Sequence, residues 1–206
     1  MTNTLINRWQ KLAVAIGLAT ALAVGHVEAS IIWDEGVSGD LSGNQLVPSA
    51  FTLSLGTNSI IGTLRTSSSG DNQDWVALTI PGGLQLGAVV LASYSSADTT
   101  SFTGVGAGTN FPGSVGDPAS YLGYTHFGTG PGNVGQDVLP SMGTAAGAQG
   151  FTPPLGSGTY TFLIQQTGTS PTAYQFDYVV IPEPSTLALV ALGCAAMSFV
   201  RRKLRL

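Results

Sequence analysis

The sequence predicts an all-β domain, and three observations carry that prediction. Apolar and polar residues alternate with a period of two over several short stretches. Clusters of Gly, Pro, Asn and Asp separate those stretches. No segment between residues 30 and 181 sustains a helical period.

Taken in order, Phe51, Leu53 and Leu55 alternate with Thr52 and Ser54. Ile60, Gly62 and Leu64 repeat the pattern, and so do Val76, Leu78 and Ile80. Pro81-Gly82-Gly83 then makes a turn, and Leu84 to Tyr94 reads as one long apolar strand. Tyr160, Phe162 and Ile164 form the next alternating set. After a turn at Gly168 to Pro171, Tyr174, Phe176, Tyr178 and Val180 follow. This last pair of strands is read as a hairpin with its aromatic residues on one face. Gly104 to Gly156 interrupts the series. It is rich in Gly, Pro, Ser, Thr and Ala and far longer than a hairpin loop. One strand is expected inside it, at Tyr121, Leu122, Tyr124 and Phe127, and the remainder is expected to be loop or flexible surface.

Both ends of the chain differ from its middle. Arg8 and Lys11 precede an apolar run from Leu12 to Val24. Val27-Glu28-Ala29 supplies small residues at cleavage spacing, so residues 1–29 read as a signal peptide and Ser30 as the first mature residue. At the other end stand Pro182-Glu183-Pro184, an uncharged apolar run over 186–200, and the cluster Arg201, Arg202, Lys203 and Arg205. The run is about fifteen residues, short against the roughly seventeen to twenty-five of a full span, and the long basic side chains make up some of the length. The basic end should stay cytoplasmic, which places the middle of the chain on the far side of the membrane. The two prolines keep a helix from running upstream, so the motif should be extended and exposed.

Composition narrows the function. Residues 30–181 hold nine acids against Arg65 alone, a formal charge of −8. Nucleic-acid binding needs the opposite balance and is excluded. The one cysteine, Cys194, lies in the apolar tail, so neither an intrachain disulfide nor a thiolate metal site is available. His126 is the one histidine after the signal peptide, no Gly-x-Ser-x-Gly elbow is present, and its strand setting reads as an outward polar residue. Asp34-Glu35 and Asp71 with Asp74 are the carboxylate pairs, and solvated turn acids are the expected role of both. Asp71 and Asp74 are also the calcium candidates, because Gly70-Asp71-Asn72-Gln73-Asp74 gathers several oxygens in one turn. That loop lacks the later glycine and glutamate of an EF-hand, and Asp and Asn favour turns by themselves. Trp33 and Trp75 are expected to fill the core or its edge rather than to stack on sugars. No catalytic residue, cofactor or metal is assigned.

Pro182-Glu183-Pro184, the apolar run and the Arg-rich end together resemble the PEP-CTERM sorting signal of Gram-negative bacteria. The resemblance implies a membrane-embedded exosortase as partner, membrane contact through 186–200 before processing, and export to the cell surface or an exopolysaccharide matrix. Gly70 to Gly83, with Gly158 to Phe162 followed by Tyr174 to Val180, resembles the bacterial pre-peptidase C-terminal domain. That resemblance implies a jelly-roll-like β-sandwich closed by a hairpin. The whole chain is therefore expected to hold a signal peptide (1–29), a secreted sandwich with a long Gly-rich insertion (30–181) and a sorting signal (182–206). Its expected role is that of a non-enzymatic surface or matrix protein. The alternative is a carbohydrate- or calcium-binding module of the matrix, with a secreted hydrolase third.

Overall fold

The computed structural model describes residues 29–68, 70–129 and 134–184. The expected membrane helix and basic tail, and all of the expected signal peptide except Ala29, lie outside the described residues.

Among the described residues, nine strands build two packed sheets. They are β1 (Ser30–Asp34), β2 (Ser49–Thr52), β3 (Gly56–Leu64), β4 (Gln73–Ile80), β5 (Leu84–Ser96), β6 (Thr100–Ala107), β7 (Gly123–Gly128), β8 (Gly158–Gln165) and β9 (Thr172–Pro182). Two short helices, α1 (Glu35–Ser38) and α2 (Leu139–Gly143), and a 3₁₀ turn at Pro118–Ser120 complete the set. One sheet has the order β1-β3-β9-β5 and the other β2-β4-β8-β6-β7. β1 runs parallel to β3 and β2 parallel to β4, while the remaining neighbours are antiparallel. From β1 to β6 the chain changes sheet at every connection. The all-β sandwich expected from the alternation is the fold observed.

The core is where the alternation placed it. Ile60 and Leu64 of β3, Val76, Leu78 and Ile80 of β4, and Tyr174, Phe176, Tyr178 and Val180 of β9 are buried in one cluster with Phe162 and Ile164 of β8. Aromatic edges meet faces inside it: Phe127 and Phe176 have ring centroids 4.9 Å apart, and Phe162 and Tyr178 5.3 Å apart.

Three expectations need correction. First, β8 and β9 are not a hairpin: β8 pairs with β4 and β6, and β9 with β3 and β5. The two strands face each other across the core, joined by a turn that changes sheet, so the closing hairpin implied by the pre-peptidase resemblance does not form. The crossing is fixed by Gln166, which is fully buried. Its amide nitrogen donates to Ser170 O and Thr172 Oγ1, both at 2.6 Å, and its Oε1 accepts from Ser101 Oγ at 3.1 Å and Gly168 N at 3.0 Å. Second, the strand read over Phe51 to Leu55 ends at Thr52. Leu53 is buried, Leu55 is exposed, and Asn58 bends the chain by bonding Ser54 N and Ser54 O at 2.9 and 2.8 Å.

Third, much of the insertion is built structure. Gly104 to Ala107 belong to β6, an inner strand of the five-stranded sheet. Residues 108–122 fold back over the outer face of that sheet. There Phe111 and Tyr121 bury themselves with Trp75 and Leu163 in a second cluster. A Cβ on Gly104 would run into the ring of Tyr121, and one on Gly106 into the ring of Phe111. These two glycines seat the rings of the insertion, and that is their role in a stretch read as a glycine-rich loop.

Candidate functional site

Two places in the fold hold the residues singled out by chemistry, and they lie at opposite ends of the sandwich. Tyr174 and Pro182 of β9 are eight residues apart, about 26 Å at roughly 3.3 Å per residue.

At the far end, three acids converge. Asp34 ends β1 and caps α1, its Oδ1 accepting from Gly36 N at 2.9 Å. Glu35 turns inward: Oε1 accepts from Leu41 N at 2.9 Å, and Oε2 from Thr63 N at 2.6 Å and Thr63 Oγ1 at 3.0 Å. Leu41 is buried in the core, and Trp75 N donates to Ser42 O at 2.8 Å, so the segment carrying Asp40 is held against the start of β4. Asp74 points from β4 to the inner side and is fully buried. Its Oδ2 accepts from the Tyr174 hydroxyl at 2.7 Å, a bond that spans the two sheets. Tyr174 fits there because its partner in the ladder is Gly62, where a Cβ would strike the phenol.

The electrostatics follow from that burial. Desolvation raises the Asp74 carboxyl to about 8, with the charge of Glu35 adding to it and the Tyr174 hydroxyl opposing it. Asp40 and Asp71 raise it further. Desolvation raises Glu35 as well, against its three hydrogen bonds. The Tyr174 phenol is held well above its usual value by burial and by the Asp74 charge. In metal-free buffer, stability is therefore expected to fall as the pH rises from about 4 to about 8. Unfolded Asp74 releases its proton near 4, and folded Asp74 near 8, so between them the native state holds more protons. Denaturant titrations across that range check this, and Asp74→Asn is expected to flatten the profile.

Asp71 does not join Asp74. Its Oδ2 accepts from Arg65 Nε at 3.1 Å and its carbonyl from Arg65 N at 2.7 Å. The acids that share the space with Asp74 are Glu35 and Asp40. No spacing in the sequence marks that grouping, because sheet crossing brings residues 35, 40 and 74 together.

The remaining marked residues are placed as follows. Trp75 is fully buried and its indole donates to Gln73 Oε1 at 3.1 Å. Trp33 is half-buried against Phe51 and donates to Gly39 O at 3.0 Å. His126 is exposed on the edge strand β7, its ring 5.7 Å from that of Phe102. Beside it a cleft of ≈ 270 Å³ is lined by Phe102, Tyr121 and Tyr124 with Gln165 and Thr167.

At the near end, Pro182 is the last residue of β9 and pairs with Leu84. Glu183 N donates to Gly83 O at 2.9 Å, in the turn between β4 and β5. Ile181, Pro182 and Pro184 are exposed and Glu183 is half-buried. The Pro-Glu-Pro segment thus leaves the sandwich without a linker, as the direct continuation of a central strand.

No curated protein and no solved structure matches the chain. The family model described as the PEP-CTERM protein-sorting motif matches residues 180–205, from the last three residues of β9 through the basic tail. The chain thus carries a PEP-CTERM sorting motif at its C-terminal end, and that motif implies export as a membrane-anchored precursor and sorting to the surface by an exosortase, a membrane enzyme.

Proposed function

We propose that the sandwich is the cargo of this sorting route, a non-enzymatic component of the cell surface or the exopolysaccharide matrix. The observation that carries the reading is the position of the motif. Pro182 closes β9, so the folded domain and its address form one continuous unit with nothing between them. The acidic surface, eight acids besides the buried Asp74 against one arginine over residues 30–181, suits a protein that stays soluble outside the cell. The exposed, edge-strand setting of His126 supports a non-catalytic role for it.

A second reading, carbohydrate binding, is favoured by one feature. Phe102 and Tyr124 stack with centroids 5.6 Å apart beside the ≈ 270 Å³ cleft, a shape that suits a sugar ring. One experiment separates the readings. The processed protein is incubated with peptides, esters and polysaccharides, and its retention on the polysaccharide of its own host is measured. No turnover is expected. Turnover lost in His126→Ala with the fold intact overturns the non-enzymatic reading, and retention lost in Tyr124→Ala moves the protein to the second one.

A further inference from the structure

The fold holds three acids together at the end of the sandwich far from the sorting motif, and it leaves one of their oxygens unused. Asp74 is 0% exposed, and its Oδ1 has no hydrogen-bond partner among the described residues. A buried carboxylate oxygen in that state is unfavourable unless something else binds it. Its neighbours are further acids. One ligand atom from each of Glu35, Asp40 and Asp74 lies within 4.8 Å of the other two.

That spacing fits one ion. Oxygens bound to calcium at about 2.3–2.6 Å are at most about 5 Å apart. We infer that Glu35, Asp40 and Asp74 form a divalent-cation site suited to calcium. The donors are all hard oxygens, which excludes a preference for soft metals. They come from two segments, the stretch from Glu35 to Asp40 and the start of β4, and Asp40 is exposed, so solvent can reach the ion and supply its remaining ligands. Calcium accepts such irregular geometry, whereas magnesium demands a near-ideal octahedron. The hydrogen bonds from Leu41 and Thr63 fix Glu35, and the Tyr174 hydroxyl fixes Asp74, so two of the three ligands are oriented before an ion arrives. The competing occupant is a proton, because burial lifts Asp74 to about 8. Proton and calcium want the same oxygens, and calcium itself is the discriminating probe.

The experiment uses the full chain, purified in detergent and stripped with a chelator. Its thermal unfolding is followed near pH 8 with and without millimolar calcium chloride. Extracellular calcium modules bind at about 0.1–1 mM. At ten times the dissociation constant the folded-to-unfolded ratio rises about elevenfold, and the midpoint by about 4 °C. The shift is expected in wild type and in Asp71→Asn, and is expected to vanish in Asp40→Asn and Asp74→Asn. Asp40 is the cleaner probe: it is exposed, so its replacement leaves the fold intact. Asn at 74 still accepts the Tyr174 hydroxyl. No shift in wild type overturns the site and leaves the cluster to a shared proton. A shift of equal size in wild type, Asp40→Asn and Asp74→Asn places the calcium elsewhere and overturns it too.

Discussion

Phe111→Ala is expected to destabilise the protein by about 3–5 kcal/mol, the range for emptying a fully buried aromatic site. Phe111 is 2% exposed, and its ring lies 5.2 Å from Trp75 and 4.6 Å from Tyr121. It is the contact that turns residues 108–122 from a loose excursion into a cover. The backbone bond from Phe111 N to Gln45 O and the Gln45 amide on Gly113 O are the other ties close by. Domains of this size hold only about 5–15 kcal/mol in all. The loss should therefore appear as a large drop in the denaturant midpoint and as new protease cleavage within 108–122. Val115→Ala, at the half-buried rim of the same cluster, should cost less than about 1 kcal/mol. A Phe111 variant that unfolds like wild type and resists cleavage would show that other contacts hold the cover.

That cover explains what the sequence conveyed and what it concealed. Period-two alternation marks which side chains face inward, so Val76 to Ile80, Phe162 to Ile164 and Tyr174 to Val180 were legible as strands and as core. The same pattern is silent about partners. Two strands that face each other across a sandwich alternate just as two strands of a hairpin do, and the Gly168 to Pro171 turn serves either. β6 was not legible for a different reason. Its outer face carries Gly104 and Gly106 in place of apolar side chains, and the missing bulk arrives from Tyr121 and Phe111 further along. The sorting signal was legible because its parts are contiguous. The acidic cluster was not, because Glu35 and Asp74 meet only through the fold, while Asp71, the nearer residue in sequence, pairs with Arg65.

The second large effect concerns delivery. Glu183→Ala is expected to abolish processing and leave the precursor in the inner membrane, since the apolar run over 186–200 and the basic end still anchor it. The substitution keeps the structure's use of this residue: the bond to Gly83 O comes from the backbone N–H, which alanine retains. The unfolding midpoint should therefore stay within about 0.5 kcal/mol of wild type, so a sorting defect cannot be ascribed to misfolding. Cell fractionation with mass spectrometry of each fraction checks this. Wild-type amounts of shortened protein at the surface in the variant would remove Glu183 from the recognition signal.

The position of β9 also decides how the domain bears load. It lies between β3 and β5, bonded on both sides, and its final residue opens the sorting motif. Ladder hydrogen bonds run across the strands. Tension on the C-terminus, from an anchor in the membrane or a joined surface component, pulls β9 lengthwise and shears both ladders at once. Unzipping them one bond at a time would need a peeling force, which this geometry applies only at Glu183 and Gly83. Under such tension the first bond to yield would be the one from Glu183 N to Gly83 O, beside the Pro-Glu-Pro motif.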